Sequence, residues 1–341
     1  MTASEKHALG EAAVERQSGH RVGVASPTAT MTVSLAPEGE LADCVVVIVA
    51  YNSAKEIGGL LDSLPAAADG LRLRVIVVDN DSADNTAEVV AARPWATHVP
   101  SGGNLGYSGG INVGRRTAGP TRAIAVLNPD LRLEPGSLRR LADAAQAPGA
   151  GAAVPRMLDG TGGFFPSLRR EPTVLRALGD ALLGGKWPSR PGVLSEMVWS
   201  RGSYERAGEV DWATGAAIVI TAEADAQVGP WDDERFFLYS EETDYCRRLR
   251  QAGFAIHYIP EATARHEGGG SGAGPALVAL STISRLRYFR KYHGRFATAL
   301  FVTALGFSEL LRVRRPGNRR AMLALLSRRS RATLPGMSAR P

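Results

Sequence analysis

Two cysteines in 341 residues, Cys44 in an apolar run and Cys246 in a helical stretch, are too few for a disulfide framework, so both are expected reduced, buried and cytosolic. Long apolar runs are also lacking. The best candidate, Phe296 to Leu311, contains Thr298, Thr303, Ser308 and Glu309 and is flanked by arginines. It falls short of the roughly 20 apolar residues of a spanning helix and suits an interfacial one. The first 40 residues have no continuous apolar stretch and are expected to form a disordered extension rather than a signal peptide. Neither a GxGxxG fingerprint after the first strand nor a P-loop ending in Gly-Lys-Ser/Thr is present, which removes the main support for hydride transfer. Acid is scarce at one end: residues 285–341 hold 14 Lys or Arg and one acid, Glu309. That local +13 sits on a remainder with 26 basic and 33 acidic residues, so the net +6 hides a basic appendage on a mildly acidic body. Such asymmetry points to an anionic membrane surface or a polyanionic substrate, and nucleic acid is not an expected partner.

What is present is an ordinary 44% hydrophobic content and a length that suits one large α/β domain or two small ones. Cys44 to Val49 is a short β-branched run, Lys55 to Leu64 has helical spacing and stops at Pro65, Leu73 to Val78 is a second strand, and Ser82 to Ala92 a second helix. The βαβα pattern predicts a mainly parallel sheet flanked by helices, with ligands at the carboxyl ends of the strands. Polar residues gather at those ends: Tyr51 and Asn52 after Ala50, Asp79-Asn80-Asp81, and Asn128-Pro129-Asp130 after the run Ala123 to Leu127. Asp79 can accept a hydrogen bond from a nucleotide base or ribose, although Asp79, Asp81 and Ser82 serve equally well as helix caps.

Residues 102–114 carry six glycines in thirteen positions, including Gly103, Asn104, Gly106, Tyr107 and Asn112. This permits close backbone approach to a phosphate at a helix N-terminus that Ser108 can open, against the alternative of a plain flexible loop. Asn-Pro-Asp is common turn chemistry. At a strand tip, however, Asp130 with Asn128 can hold Mg²⁺ or Mn²⁺ and leave positions for diphosphate and water. Far downstream, Glu241-Glu242-Thr243-Asp244 supplies carboxylates able to take a proton, although acids preceding Arg247, Arg248 and Arg250 also suit a solvated helix face.

These segments together, Val46–Asn52, Val77–Ser82, Gly103–Gly114, Leu127–Asp130 and Trp231–Asp244, resemble the family 2 (GT-A type) inverting glycosyltransferases, in particular the bacterial rhamnosyltransferase-like group, over roughly residues 43–293. The resemblance implies an α/β GT-A (Rossmann-like) fold and inverting transfer of a sugar, favouring L-rhamnose from dTDP-rhamnose, to a hydroxyl of a glycan or polyprenyl-diphosphate-linked acceptor in cell-envelope polysaccharide synthesis. It places the metal contact on Asp130, where the family's Asp-x-Asp is here Asn-Pro-Asp, and adds His266. The general base falls on Glu242, beside Glu241 and with Asp244 in reserve. Trp212, Thr214 and Gly215 match the acceptor side in relatives, although Trp212 also suits a core position.

The expected organisation is an N-terminal extension over 1–40, a glycosyltransferase domain over 41–293, and a helical, basic, membrane-associating tail over 294–341. The tail would hold a cytoplasmic enzyme peripherally on the inner face of the plasma membrane, so its loss should harm activity on a lipid acceptor more than on a soluble analogue. A sugar nucleotidyltransferase and a non-catalytic sugar-binding protein are the alternatives. The first should carry a basic glycine-rich loop where this chain has Tyr51-Asn52-Ser53, and the second should tolerate Glu242→Gln and Asp130→Ala.

Overall fold

The computed structural model describes residues 33–184, 187–266 and 274–337. Most of the expected N-terminal extension, and the glycine run Gly268 to Gly272, lie outside the described residues. Residues 33–40 do not stand alone: Leu35 bridges Leu73, and the Ala36 amide donates to the Leu73 carbonyl at 2.9 Å.

The first half alternates β1 (Cys44–Ala50), α1 (Ile57–Ala68), β2 (Leu73–Asp79), α2 (Thr86–Ala91), β3 (Ala96–Pro100), α3 (Gly106–Thr117), β4 (Ala123–Leu127), β5 (Leu131–Leu133), α4 (Ser137–Ala145) and β6 (Ala150–Asp159). Then follow β7 (Leu168–Arg169), α5 (Val174–Leu183), β8 (Gly208–Glu209), β9 (Trp212–Ala213), β10 (Ala217–Thr221), α6 (Ala222–Val228), α7 (Glu241–Gln251) and β11 (Ala255–His266). Four helices close the chain: α8 (Pro275–Tyr292), α9 (Arg295–Leu311), α10 (Pro316–Leu326) and α11 (Arg328–Ala332). The main sheet runs β3-β2-β1-β4-β10-β6-β11-β5, with β8 also on β11, and β7 pairs separately with β9.

Strand alternation builds two cores. Cys44, Val46, Ile48 and Ala50 of β1 face one helical layer while Val45, Val47 and Val49 face the other, and β2 and β4 divide in the same way. Ile57, Leu60, Leu61 and Leu64 of α1 are completely buried, each contributing about 1.5–3 kcal/mol. That burial carries α1 through Pro65 to Ala68, past the predicted stop. The second helix is shorter than predicted, because residues 80–85 are pinned as a loop: Asp79 accepts from the Ser82 amide, and Asp84 from the amides of Ala54 and Thr86.

Strand direction positions the site. β10 is antiparallel to β4 with Ala217 opposite Leu127, so the residues just before β10 lie at the tip of β4, where the Asn128 amide donates to the Ala216 carbonyl at 2.8 Å. β11 is antiparallel to β5 with His266 opposite Leu131, next to Asp130.

Candidate active site

At the β1–β2 end, the Asp79 carboxylate is 8% exposed and accepts from the Ser82 amide at 2.9 Å, with His98 Nε2 at 3.0 Å. Burial opposes its ionisation, but the bonds from Ser82 and His98 outweigh this and hold its pKa below the ordinary carboxylate value. Ala50 is buried and contributes its carbonyl to the Asn80 amide, while Tyr51 stands half exposed at the rim. Asn52, at a φ of 51°, accepts from the Ala83 amide at 2.8 Å.

Sequence assigned several asparagines to the donor, and the structure gives Asn80, Asn104 and Asn112, like Asn52, bonds to the scaffold. Asn80 donates to the Gly106 carbonyl at 2.9 Å and accepts from the Leu105 amide at 3.1 Å, and Asn104 accepts from the Gly106 amide at 3.1 Å. Asn112 is buried and engages both backbone groups of Trp231, at 2.9 and 3.0 Å, so its amide is spent on the scaffold. These bonds shape the loop that ends in Gly103 to Tyr107. Gly106 has a φ of 76° and packs so closely on Phe237 that a side chain there would overlap the Phe237 carbonyl. That carbonyl accepts the Tyr107 amide at 2.7 Å.

Phe237 also meets residues 334–337. Gly336 lies against its ring with no room for a Cβ, and Leu334 and Met337 join α8 and α10 in packing around residues 237–239. Ser284 of α8 donates to the Leu238 carbonyl at 2.9 Å. This packing holds Tyr239 and Ser240 at φ of 70° and 66°, a left-handed pair that costs about 1–3 kcal/mol per residue and delivers Glu241 and Glu242 to the start of α7.

Glu241 is 4% exposed, and among the described residues its Oε2, the Glu242 Oε2 and the Thr214 Oγ1 are buried without a hydrogen-bond partner. Burial raises the pKa of both glutamates, and at Glu241 the like charge of Glu242 adds to it. The Arg169 cation and the Gly215 amide pull Glu242 back. Gly215 faces Glu242 closely, a Cβ there falling 3.3 Å from that of Glu242, and its carbonyl accepts the Tyr107 hydroxyl at 3.1 Å. Burial, then Glu241, Glu242 and Asp130, push the Tyr107 hydroxyl well above its ordinary pKa. Asp130 in turn lies 3.1 Å from His266 Nε2, and Phe165 packs edge-on against the His266 ring.

Two predicted site residues stand elsewhere. Asp244 is fully buried and accepts from Lys291 at 2.6 Å, Tyr292 at 2.7 Å and Arg248 at 2.9 Å, which makes it a clamp between α7 and α8 rather than a reserve base. Trp212 is buried in the core, its indole N–H donating to the Arg170 carbonyl at 3.0 Å, and does not present a stacking face to a sugar. The Thr214 amide donates to the Ser167 carbonyl at 3.0 Å, which leaves its orphaned hydroxyl beside Gly215.

Arg169 escaped the sequence reading, since no spacing ties it to residue 242. Its guanidinium bonds the carbonyls of Pro166 and Leu168 at 2.6 and 3.1 Å and lies over the Trp212 ring. Among the described residues no carboxylate is within ion-pair distance of it, and its charge lowers the Glu242 pKa against burial and against Glu196, which acts on both groups. Arg169→Met is expected to raise the Glu242 pKa and move the acid limb of the kcat/KM pH profile to higher pH. A lowered rate with an unmoved limb would reduce Arg169 to a packing residue.

The pair Asp130 and His266 fits a divalent cation: one carboxylate and one imidazole, in contact, leave the remaining positions to diphosphate and water. Among the described residues no cluster of three or more His, Cys, Asp or Glu forms a closed metal cage.

The family model for glycosyl transferase family 2 matches residues 45–195. An N-acetylglucosaminyl-diphospho-decaprenol L-rhamnosyltransferase of Mycobacterium tuberculosis is 33% identical over 233 residues, 65% of this chain and 75% of that protein. The low-salt glycan biosynthesis hexosyltransferase Agl10 of Haloferax volcanii is 30% identical over 235 residues, 66% of this chain and 67% of that one. Among solved structures, the mannosyltransferase PcManGT of Pyrobaculum calidifontis with GDP-Man and Mn²⁺ superposes with a TM-score of 0.51 at 16% identity, over 90% of this chain and 83% of that one. GalNAc-T7 with UDP, GalNAc and Mn²⁺ gives a TM-score of 0.57 at 11% identity, over 85% and 57%. At such identities these two likenesses speak to the fold, a GT-A arrangement.

Proposed function

The chain belongs to glycosyl transferase family 2, and from that premise we propose that it is an inverting rhamnosyltransferase acting on a polyprenyl-diphosphate-linked glycan, with dTDP-rhamnose as donor. The observation that carries the reading is placement: the Tyr107 hydroxyl bonds the carbonyl of Gly215, Gly215 packs on Glu242 at the start of α7, and Asp130 at the tip of β4 pairs with His266, while Glu241, Glu242 and Asp130 all help raise the Tyr107 pKa. Carboxylates so placed can serve the two ends of one displacement.

Glu242 accepts the proton of an acceptor hydroxyl; the oxygen attacks the anomeric carbon as the bond to the nucleoside diphosphate breaks on the opposite side, and the configuration inverts. Its raised pKa brings a carboxylate nearer to the acceptor proton it must take, and its orphaned oxygen gives that proton a destination. The amides of Leu105, Gly106 and Tyr107 at the start of α3 are taken by Asn80, Asn104 and Phe237, so the loop's part is to form a wall beside the diphosphate. Asp130 and His266 would hold Mg²⁺ or Mn²⁺, which supplies positive charge to the departing diphosphate.

No described helix is long and apolar enough to cross a membrane. The reading therefore assigns lipid contact to the basic C-terminal helices, on the cytoplasmic leaflet. The test is incubation of the purified chain and Mg²⁺ or Mn²⁺ with a GlcNAc-diphosphoprenol acceptor and, separately, dTDP-rhamnose, a UDP-hexose or GDP-mannose. Expected is transfer from dTDP-rhamnose alone, with an anomeric configuration opposite to the donor's by NMR. Transfer from a UDP-hexose would move the chain to another donor class, and a retained configuration would end the displacement mechanism.

A further inference from the structure

The concave face between α10 and α11 contains none of the residues assigned above to sugar transfer. It is an open concavity of about 580 Å³, lined by Arg319, Arg320, Arg329, Ser330, Thr333 and Leu323, and among the described residues no carboxylate contributes to its wall. Arg320 makes only long contacts with Thr333, at 3.4 and 3.5 Å, and among the described residues no acid lies within ion-pair distance of the three guanidiniums. The single acid of this region is beyond reach: Glu309 is buried, with its oxygens taken by Thr282 at 3.1 Å and Asn318 at 2.7 Å. Crowded cations are felt at the neighbouring Arg331, whose pKa is lowered by burial and then by Arg290 and Arg328. Guanidiniums with hydroxyls beside them, and no internal counter-charge, match a phosphoryl group.

Large apolar side chains stand exposed among the arginines of α9 and α10, Leu323 on the cavity wall itself. Leu323 and Leu326 of α10 are 51% and 78% exposed, and α9 presents Phe296 at 80%, with Leu300, Phe307, Leu310 and Leu311 also exposed. A free phosphate has no use for those side chains, whereas a phosphate bearing acyl chains meets both chemistries. We infer that the Arg319–Arg320–Arg329 cavity is a headgroup site for an anionic phospholipid of the bilayer, with the exposed faces of α9 and α10 entering the interface beside it. The inference rests on reading the C-terminal helices as the membrane-facing part, and it adds a localised site to what would otherwise be diffuse attraction.

The test uses the full chain in sedimentation with vesicles of phosphatidylcholine alone or with phosphatidylglycerol. One variant replaces Arg319, Arg320 and Arg329 by Gln. A control replaces Arg314, Arg315 and Arg328, which are exposed, lie outside the cavity and carry the same charge. Expected is binding that requires phosphatidylglycerol, falls on the order of 10²-fold in the cavity variant and clearly less in the control, and persists in millimolar inorganic phosphate. Transfer to a water-soluble acceptor should be unchanged in both variants, which also reports that they fold. Equal losses in the two variants would overturn the site while leaving membrane attachment standing. Displacement by inorganic phosphate would reassign the cavity to a soluble anion. Failure of the unaltered chain to bind either vesicle would overturn the site and the membrane reading together, without touching the proposed sugar transfer.

Discussion

Glu242→Gln is expected to lower kcat by about 10²–10⁴-fold, the usual worth of a positioned general base, with little change in donor KM. The substitution keeps the volume of a side chain packed against Gly215 and removes only the capacity to take a proton. The same variant should melt at a higher temperature than the parent, with a pH dependence of fixed sign. Burial raises the Glu242 pKa, so the native state accepts its neutral form readily and is penalised as pH rises through the raised value. Gln carries no such penalty, so the thermal gain should be absent below the unfolded pKa and appear at neutral and alkaline pH. Initial rates with the preferred donor and melting scans at acidic and alkaline pH measure both effects. Unimpaired turnover would remove the assigned base and leave Glu241, also at the head of α7, as its replacement.

Asp130→Ala should be as damaging by another route, at about 10³-fold in kcat/KM, or several kcal/mol of lost stabilisation where the diphosphate departs. Because Asp130 contacts His266, the variant leaves an imidazole alone to hold the cation, and the Mn²⁺ concentration for half-maximal rate should rise with it. Titrating Mn²⁺ by electron paramagnetic resonance in the presence of dTDP gives a readout independent of turnover. A variant that binds Mn²⁺ as the parent does would place the cation elsewhere.

Much of this geometry was legible in the residue order. Apolar runs of four to seven residues that end in Tyr51-Asn52, Asp79-Asn80 and Asn128-Pro129-Asp130 can only be strand tips, and parallel strands bring their tips to one edge. The partition among polar side chains was not legible. Asn80 and Asn112 look like ligand contacts because an amide bonds a nucleotide and a peptide group equally well, and only the fold shows that backbone has claimed both. Asp244 shares a helix with Glu242 two residues away, on a different face, where Lys291 and Tyr292 arrive from α8. The left-handed turn at Tyr239 and Ser240 has no glycine to announce it, because packing from the C-terminal helices imposes it.

The close packing of both Gly336 and Gly106 on Phe237 bears on how shortened versions of this protein should be read. A stop codon placed before α10 to improve solubility would strip a buttress from Phe237 and from the turn that delivers Glu241 and Glu242. Such a protein would bind its donor poorly even in plain buffer with a water-soluble acceptor, and the defect would be mistaken for lost lipid attachment. Charge substitutions on an intact chain avoid that confusion.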